Sequence, residues 1–334
     1  MKKIILTSKK NYYKANLHTH SIISDGQLSV EELKKAYLEK GVQIVAFTDH
    51  DVFIRHNDLT DDNFLALNGY EIEVNKDTGL PRPMHRSVTA HICFVALSPD
   101  TTTPACLHRS KYLIGNGEKY VHLVDFGNQP DFEREYTPEC VNEIIRKGKE
   151  MGFFVTYNHP SWSGEGYPQY IQYEGMDAME IYNHECFLVG VEEYNGRVYD
   201  DFLRAGKRLY CIATDDTHPK ITVGGGMTVF NADKLDYPTI TKALKNGDFF
   251  STNGPMIKEL YVEDGYICIE TDPAHIISLN TGMTQVAHVR GDDKPVTFAK
   301  FLIRPGYDYI RLTVIDEKRN SAHTNVYYPE ELLK

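Results

Sequence analysis

The chain lacks any Cys-x-x-Cys pair, any excess of positive charge and any apolar run near the roughly 20 residues a membrane-spanning helix needs; it has one tryptophan in 334 residues. Its six cysteines (Cys93, Cys106, Cys140, Cys186, Cys211 and Cys268) lie far apart. That spacing excludes a dense disulfide scaffold and predicts buried free thiols. Thirty-six basic residues against forty-seven acidic ones leave a formal charge of −11. Such a balance speaks against a non-specific nucleic-acid or anionic-membrane surface, while a local basic pocket stays compatible with it. Neither nucleic acid nor membrane is therefore expected as a partner. Met1 to Lys10 holds only three consecutive apolar residues, Ile4-Ile5-Leu6, too few for a signal-peptide core, so a cytoplasmic location is expected. The sequence has no internal repeat and no low-complexity segment, and it does not report an oligomeric state.

What is present is enough apolar residue, 41% of the chain, for one barrel-sized domain and a smaller one. From residue 12 to about 220, short apolar runs alternate with helical periodicity, the pattern of βα units. Val30, Leu33, Tyr37 and Leu38 share a helical face between Ser29, an N-cap, and Gly41, a stop. Val42 to Phe47 then reads as a buried strand. Thr137-Pro138 opens another helix, with Val141, Ile144 and Ile145 on one face, before a strand at Phe153 to Tyr157. Residues 98–136 break the pattern with Pro99, Pro104, Gly115-Asn116-Gly117 and Gly127-Asn128, and read as an insertion, a candidate lid. Beyond a helix ending near Gly247 the chain becomes strand-like, at 257–262, 266–270, 276–279, 297–302 and 309–315. The expected organisation is a domain over 1–254 and a small β domain over 255–334.

Fourteen histidines are distributed with a pattern. His18 and His20 follow the strand-like Lys14 to Leu17, and alternate strand residues share a side, so both imidazoles can face one ion. Asp25 follows in a Ser-Asp-Gly turn. His50 sits in Thr48-Asp49-His50-Asp51, directly after the strand ending at Phe47, where loops after strand ends carry active sites in α/β barrels. Asp49 is a candidate to orient a neighbouring imidazole. Glu71 and Glu73 lie on a further strand, His91 begins another, His159 follows Phe153 to Tyr157 in Asn158-His159-Pro160, and Asp216 and His218 follow Arg208 to Ala213. An isolated histidine is usually structural, but strand-then-His-or-Asp repeated over five segments points to a shared metal site.

With these residues assembled, the sequence resembles the PHP superfamily, named for polymerase and histidinol phosphatase domains. The carriers are His18-Thr19-His20 with Ser24-Asp25-Gly26, Thr48-Asp49-His50-Asp51, Asn158-His159-Pro160 and Asp216-Thr217-His218. The nearest likeness is to CehA/McbA-type metallohydrolases, through Gly206-Lys207 with Ala213 to His218 and the tail segments Gly247 to Pro255 and Ala322 to Asn325. The resemblance implies an α/β fold, a distorted seven-stranded (β/α) TIM-like barrel, with two or three divalent transition-metal ions (Zn, Mn or Fe). Carried over by position, it implies one ion on His18, His20, Glu71 and Asp216; a second on Glu71, His91 and His159; and a third on Asp25, His50 and His218. Glu73 is the alternative to Glu71.

The expected activity is hydrolysis of a small phosphomonoester or phosphodiester by a metal-bound hydroxide. Carbamate or carboxylic-ester hydrolysis is the competitor, and a non-catalytic metal-stabilised binding module is the reading from another class. Arg55, Arg86 and Lys220 are candidate phosphate contacts, being near ligand segments. His184 is a candidate general acid or substrate contact, and Trp162, just after His159, is placed either to line the pocket or to pack.

Overall fold

The computed structural model of the chain describes residues 2–77, 88–192, 194–284 and 287–334. Strands β1 (Lys3–Leu6) and β2 (Asn11–Asn16) come first, and helix α1 (Val30–Glu39) leads into β3 (Ile44–Phe47), β4 (Leu65–Asn75) and β5 (Thr89–Ala96). A long irregular stretch carries the single-turn α2 (Gly117–Tyr120). Then come α3 (Pro138–Glu150), β6 (Phe153–Tyr157), α4 (Tyr167–Tyr170), β7 (Ala178–Asn183), α5 (His184–Leu188), α6 (Gly196–Arg204) and β8 (Tyr210–Thr214). β9 (Met227–Ala232), α7 (Tyr237–Asn246) and β10 (Phe249–Thr252) precede β11 (Ile257–Glu263), β12 (Tyr266–Ala274), β13 (Ile276–Asn280) and β14 (Ala287–Arg290). The remaining elements are β15 (Val296–Leu302), β16 (Arg311–Ile315), β17 (Ser321–Thr324) and α8 (Pro329–Leu332).

The helix boundaries follow from local chemistry. Ser29 Oγ accepts the Glu32 N–H at 3.2 Å while the Glu32 carboxylate accepts the Ser29 N–H at 2.8 Å, a reciprocal cap on α1. Gly41, at φ 72°, turns the chain out of that helix. Thr137 caps α3 through the Cys140 N–H, and Pro138 at its start lacks only a donor the helix would not use. Leu33, Ala36 and Tyr37 of α1 and Val141, Ile144 and Ile145 of α3 are buried against the sheet, which is the face the periodicity predicts.

Thirteen strands form one sheet in the order β14-β13-β16-β17-β10-β9-β2-β3-β4-β5-β6-β7-β8, and β1-β11-β12-β15 form a second. Strands β2, β3 and β4 are parallel, β5 is antiparallel to both β4 and β6, and β6, β7 and β8 are again parallel. In place of the expected closed parallel barrel, the described residues form an open mixed sheet whose parallel run is interrupted at β5. Both β4 and β5 are buried along almost their whole length, and a fully buried strand reads the same in either direction. The reversal brings the start of β5 to the same end as the finishes of its neighbours.

At that end the curl of β2–β8 is drawn round by backbone bonds. Thr19 bridges Thr217, the Asp216 N–H reaches His18 O at 3.0 Å, and the His20 N–H reaches Thr217 O at 2.9 Å. Beyond β10 the sheet continues antiparallel into β17, β16, β13 and β14, whose core includes Val229 and Phe250 together with Leu6 from the start of the chain. The irregular stretch after β5 packs Phe126, Phe132 and Tyr136 onto the main core. Among the described residues no helix is long and apolar enough to cross a membrane.

Gly148 faces the core from α3, where a Cβ would meet Phe94 Cε1 at 2.3 Å and Cδ1 at 2.6 Å. Phe94 is fully buried and stacked on Tyr70 with ring centroids 4.6 Å apart, so its ring has little room to yield. Helix propensity favours alanine by about 1 kcal/mol, whereas overpacking costs about 1–3 kcal/mol. Gly148→Ala is expected to lower unfolding stability by about 1 kcal/mol net in urea denaturation; a stabilised variant would show that the ring gives way.

Candidate metal centre

The chain leaving β2 keeps its strand-like alternation. Thr19 turns to Thr48 and Tyr37, and His18 and His20 turn to the other side, with Nε2 atoms 3.0 Å apart. Glu71 Oε2, from β4, lies 3.2 Å from His18 Nε2 and 3.3 Å from His20 Nε2. Asp216 Oδ1, from the segment after β8, lies 3.2 and 3.1 Å from the same two atoms. Each of the two carboxylate oxygens thus stands 3.1–3.3 Å from both imidazole nitrogens, spacings compatible with a shared cation held by nitrogen and oxygen ligands. Glu71 Oε2 and Asp216 Oδ1 are buried and have no hydrogen-bond partner. Two orphaned carboxylate oxygens aimed at one point fit a cation there.

The second oxygen of each carboxylate faces another group. Glu71 Oε1 lies 3.1 Å from His91 Nδ1 and 3.5 Å from His159 Nε2, and Asp216 Oδ2 lies 3.7 Å from His159 Nε2. On the opposite side, His20, Asp25, His50 and His218 offer donor atoms within 4.8 Å of one another. Asp25 Oδ1 is 3.4 Å from His218 Nε2, and His50 Nδ1 is buried without a hydrogen-bond partner. All nine residues expected around the ions thus converge. Glu71 occupies the middle; Glu73 Oε2 stands 3.9 Å from His91 Nε2. Three positions in these loops, Asp51, His159 and Asp216, have left-handed φ of 56°, 26° and 53°, a strained backbone for residues other than glycine.

Of the carboxylates that hold the site, Glu180 and Glu185 have no motif around them, while Asp215 and Asp49 lie inside the motifs. Glu180 Oε1 lies 2.7 Å from His18 Nδ1 and accepts the Thr214 hydroxyl at 2.7 Å, while its Oε2 accepts the His159 N–H and the Asn183 amide. Its only sequence signal is an acid inside the apolar run of β7. Glu185 accepts the His218 N–H at 3.0 Å and lies 2.8 Å from His218 Nδ1. Asp215 accepts the N–H groups of Gly224, Gly225 and Gly226. Asp49 holds a turn and not an imidazole: it accepts the N–H and hydroxyl of both Ser21 and Ser24, at 2.7–3.1 Å.

The candidate substrate contacts fare differently. His184 lies outside the cluster, with Nδ1 2.8 Å from the Tyr182 hydroxyl and its ring over Gly225, where a Cβ would meet it at 2.0 Å. Arg55 is exposed in a separate cleft beside Asp58 and Asp125, and Lys220 is exposed and absent from the lining of the site. Arg86 lies outside the described residues. Trp162 meets His91 and His159 edge-on, with centroids 5.4 and 5.0 Å away, and lines the opening. The cleft encloses about 320 Å³, and no lysine or arginine lines it among the described residues.

Burial alone would strip protons from these imidazoles, and it does lower His91 and holds His50 down at about 3. Elsewhere the carboxylates win. Against burial, the Glu71 contact and the Asp216 charge raise His159 to about 9, and Asp25 with Glu185 raises His218 to about 11. His18 rises well above its usual range as Asp216 and Glu71 outweigh burial. Burial works against the charged carboxylates too, yet His18 holds Glu71 and Asp216 well below the ordinary range, and His218 does the same for Asp25.

The PHP domain family matches residues 16–151 of this chain. None of the curated proteins matches it. Among solved structures, a two-domain protein from Bacteroides vulgatus containing a predicted PHP-like metal-dependent phosphoesterase is 14% identical, with 97% of this chain and 98% of that one covered and a TM-score of 0.45. An amidohydrolase from Chromobacterium violaceum, with bound sulfate and no metal, is 15% identical over 61% of this chain and 87% of its own, at 0.39. The lesion-specific endonuclease of Pyrococcus furiosus is 12% identical over 71% and 56%, at 0.41.

With no ion bound, the raised imidazoles stabilise the fold fully below their ordinary 6.5, and that contribution fades as pH rises through about 9 to 11. The lowered carboxylates contribute above their ordinary range and fail as pH falls through it. Because His50 and His91 are lowered and cost stability as pH falls below 6.5, chelator-stripped protein is expected to melt highest near pH 6.5. Ion binding must displace the imidazole protons, so calorimetry at pH 7 in buffers of different ionisation enthalpy should record release of about two to three protons. Ion uptake without proton release would show that the protonated histidines do not ligate the cation.

Proposed function

We propose that the chain is a metal-dependent hydrolase of small phosphate esters. His18, His20, Glu71 and Asp216 would hold one divalent ion; Glu71, His91 and His159 a second; and Asp25, His50 and His218 a third. The observation that carries this reading is the set of 3.0–3.3 Å spacings among four buried donor atoms, two of them carboxylate oxygens without partners. Bound there, divalent ions supply Lewis acidity and make water a competent nucleophile near neutral pH. Nitrogen and oxygen donors suit Zn, Mn or Fe better than Ca or Mg, and burial keeps the neighbouring Cys93 thiol protonated by pushing it up to about 12.

The protein's own contribution is orientation. Glu180 fixes the ring of His18 and Glu185 that of His218, which sets which nitrogen faces the cluster. Glu71 and Asp216 each turn one oxygen to one group of imidazoles and the other oxygen to the next. Three divalent ions against Asp25, Glu71 and Asp216 would leave an excess of about three positive charges, suited to a phosphoryl group without help from lysine or arginine. We read the β2–β8 curl as the distorted seven-stranded barrel of the PHP family, and residues 255–334 as a small β domain on its flank.

A second reading, hydrolysis of a carboxylic ester or carbamate, draws on the opening. Ile114, Trp162, Cys186 and Val189 line it beside the imidazoles, a surface that accepts an uncharged apolar group. Protein reconstituted with Zn, Mn or Fe is expected to turn over p-nitrophenyl phosphate or its diester faster than p-nitrophenyl acetate. Glu71→Gln and Asp216→Asn should each lower kcat/KM at least ~100-fold, an estimate for losing a carboxylate shared between ions. Turnover of the acetate alone would sink the phosphatase reading, and less than one equivalent of metal after reconstitution would sink the hydrolase.

A further inference from the structure

The stretch at residues 98–136 meets the site at two points, and both flank the third group of candidate ligands. At the first, the Asn116 N–H reaches Ser24 O at 2.7 Å and its side-chain amide reaches Ile22 O at 2.9 Å. Asp49 grips the same turn from inside through Ser21 and Ser24. Asp25, the one carboxylate of the third group, thus sits on a turn clamped from both sides. Gly115, at φ +58°, lies so close that a Cβ would meet Ser24 O at 2.1 Å.

At the second point Arg134 forms a two-pronged ion pair with Asp51, the residue after His50, with side chains only 2% and 0% exposed. Its guanidinium also donates to Glu73 O at 3.1 Å and Cys106 O at 3.2 Å, and lies over the Tyr112 ring at 4.4 Å. Asp51 holds a left-handed φ of 56°, a conformation that persists only where surrounding contacts enforce it. Between the two points Ile114 lines the cleft. A lid would have to break the buried Arg134–Asp51 pair and the Asn116 bonds on each opening.

We propose that this insertion is a fixed buttress for the third ion: Gly115 and Asn116 set the position of Asp25, and Arg134, through Asp51, sets that of His50. The inference rests on the metal-dependent reading above and concerns positioning residues. Losing the Asn116 clamp frees the Asp25 turn on one side only. Of the ligands of the first two ions, only His20 lies near the Ile22–Ser24 turn that Asn116 bonds, two residues before it; the bonds of Asn116 do not reach the segments of Glu71, His91, His159 or Asp216.

The test is zinc titration by calorimetry, with bound metal counted after dialysis, on wild type, Asn116→Ala, Gly115→Ala, Arg134→Lys and Lys111→Ala. Lys111 pairs with Glu133 on the exposed side of the insertion and serves as the control. Arg134→Lys keeps the charge and removes the fork, so Asp51 is not left facing no cation. Wild type and Lys111→Ala should take up three ions. Asn116→Ala and Gly115→Ala should bind the first two unchanged and the third at least tenfold more weakly, and Arg134→Lys, whose guanidinium also meets Glu73 O, should weaken the third more than the first two, with circular dichroism unaltered. Three ions at wild-type affinity in Asn116→Ala and Gly115→Ala, or an equal weakening of all three ions, would overturn the buttress alone. Wild type saturating at two ions also overturns it and leaves a two-ion hydrolase standing, whereas wild type binding none removes the hydrolase reading itself.

Discussion

Everything around this site answers to one constraint: two buried carboxylates, Glu71 and Asp216, each aim an oxygen with no hydrogen-bond partner at the point where two imidazole nitrogens also aim. Leaving charged oxygens unsatisfied inside a protein is costly. Without a cation the imidazoles supply the compensating charge by holding protons, as the raised His18, His159 and His218 show. Protons are a poor solution, because several cationic rings then crowd together, with His20 and His218 centroids only 4.3 Å apart. A divalent ion would satisfy oxygens and neutral imidazoles at once, so the electrostatics and the geometry point to the same occupant.

Holding such a cluster together falls to contacts one layer out. Glu180 joins three pieces of chain, the segments at His18, His159 and Thr214, through one carboxylate. Asp49 and Asp215 do the same for the loops behind them, with backbone N–H groups and hydroxyls as donors. The sheet contributes direction. By reversing β5 alone, the fold puts the first residues of that strand among the last residues of the others, and His91 reaches Glu71 from a neighbour in the ladder.

Much of the converging cluster was legible because His18, His50, His91, His159 and Asp216 stand as polar residues at or beyond the edge of a strand, whereas Glu71, inside β4, and Asp25, in a turn, lack that mark. Helices α1, α3 and α7 were legible from Ser29 and Thr137 as caps and Gly41 and Gly247 as stops; α5 and α6 were not. Two kinds of information were not. Strand direction is invisible in uniformly buried runs such as β4 and β5. Partnership at long range is invisible too: nothing near Glu180 or Arg134 in sequence announces a contact with His18 or Asp51, and Asp49, adjacent to a histidine in sequence, turned out to serve serines. The short strands β1, β14 and β17 also escaped notice, since four residues carry little periodic signal, and β1 completes a sheet whose other members lie beyond residue 256.

The same distinction bears on substrate. Nearness in sequence suggested Arg55 and Lys220 as phosphate contacts, yet neither lines the cleft, and His184 is occupied with Tyr182. Among the described residues the lining therefore has strongly charged acids and imidazoles at its floor and Ile114, Trp162 and Val189 at its rim. Recognition divides accordingly: ions at the floor would meet the polar reacting group, and the rim would meet whatever that group is attached to. No lysine or arginine stands on the described lining to draw in an anion, so with the imidazoles neutral its attraction to the site would depend on the ions. Under the hydrolase proposed above, the positive charge that would bind substrate and the positive charge that would activate water are the same charge.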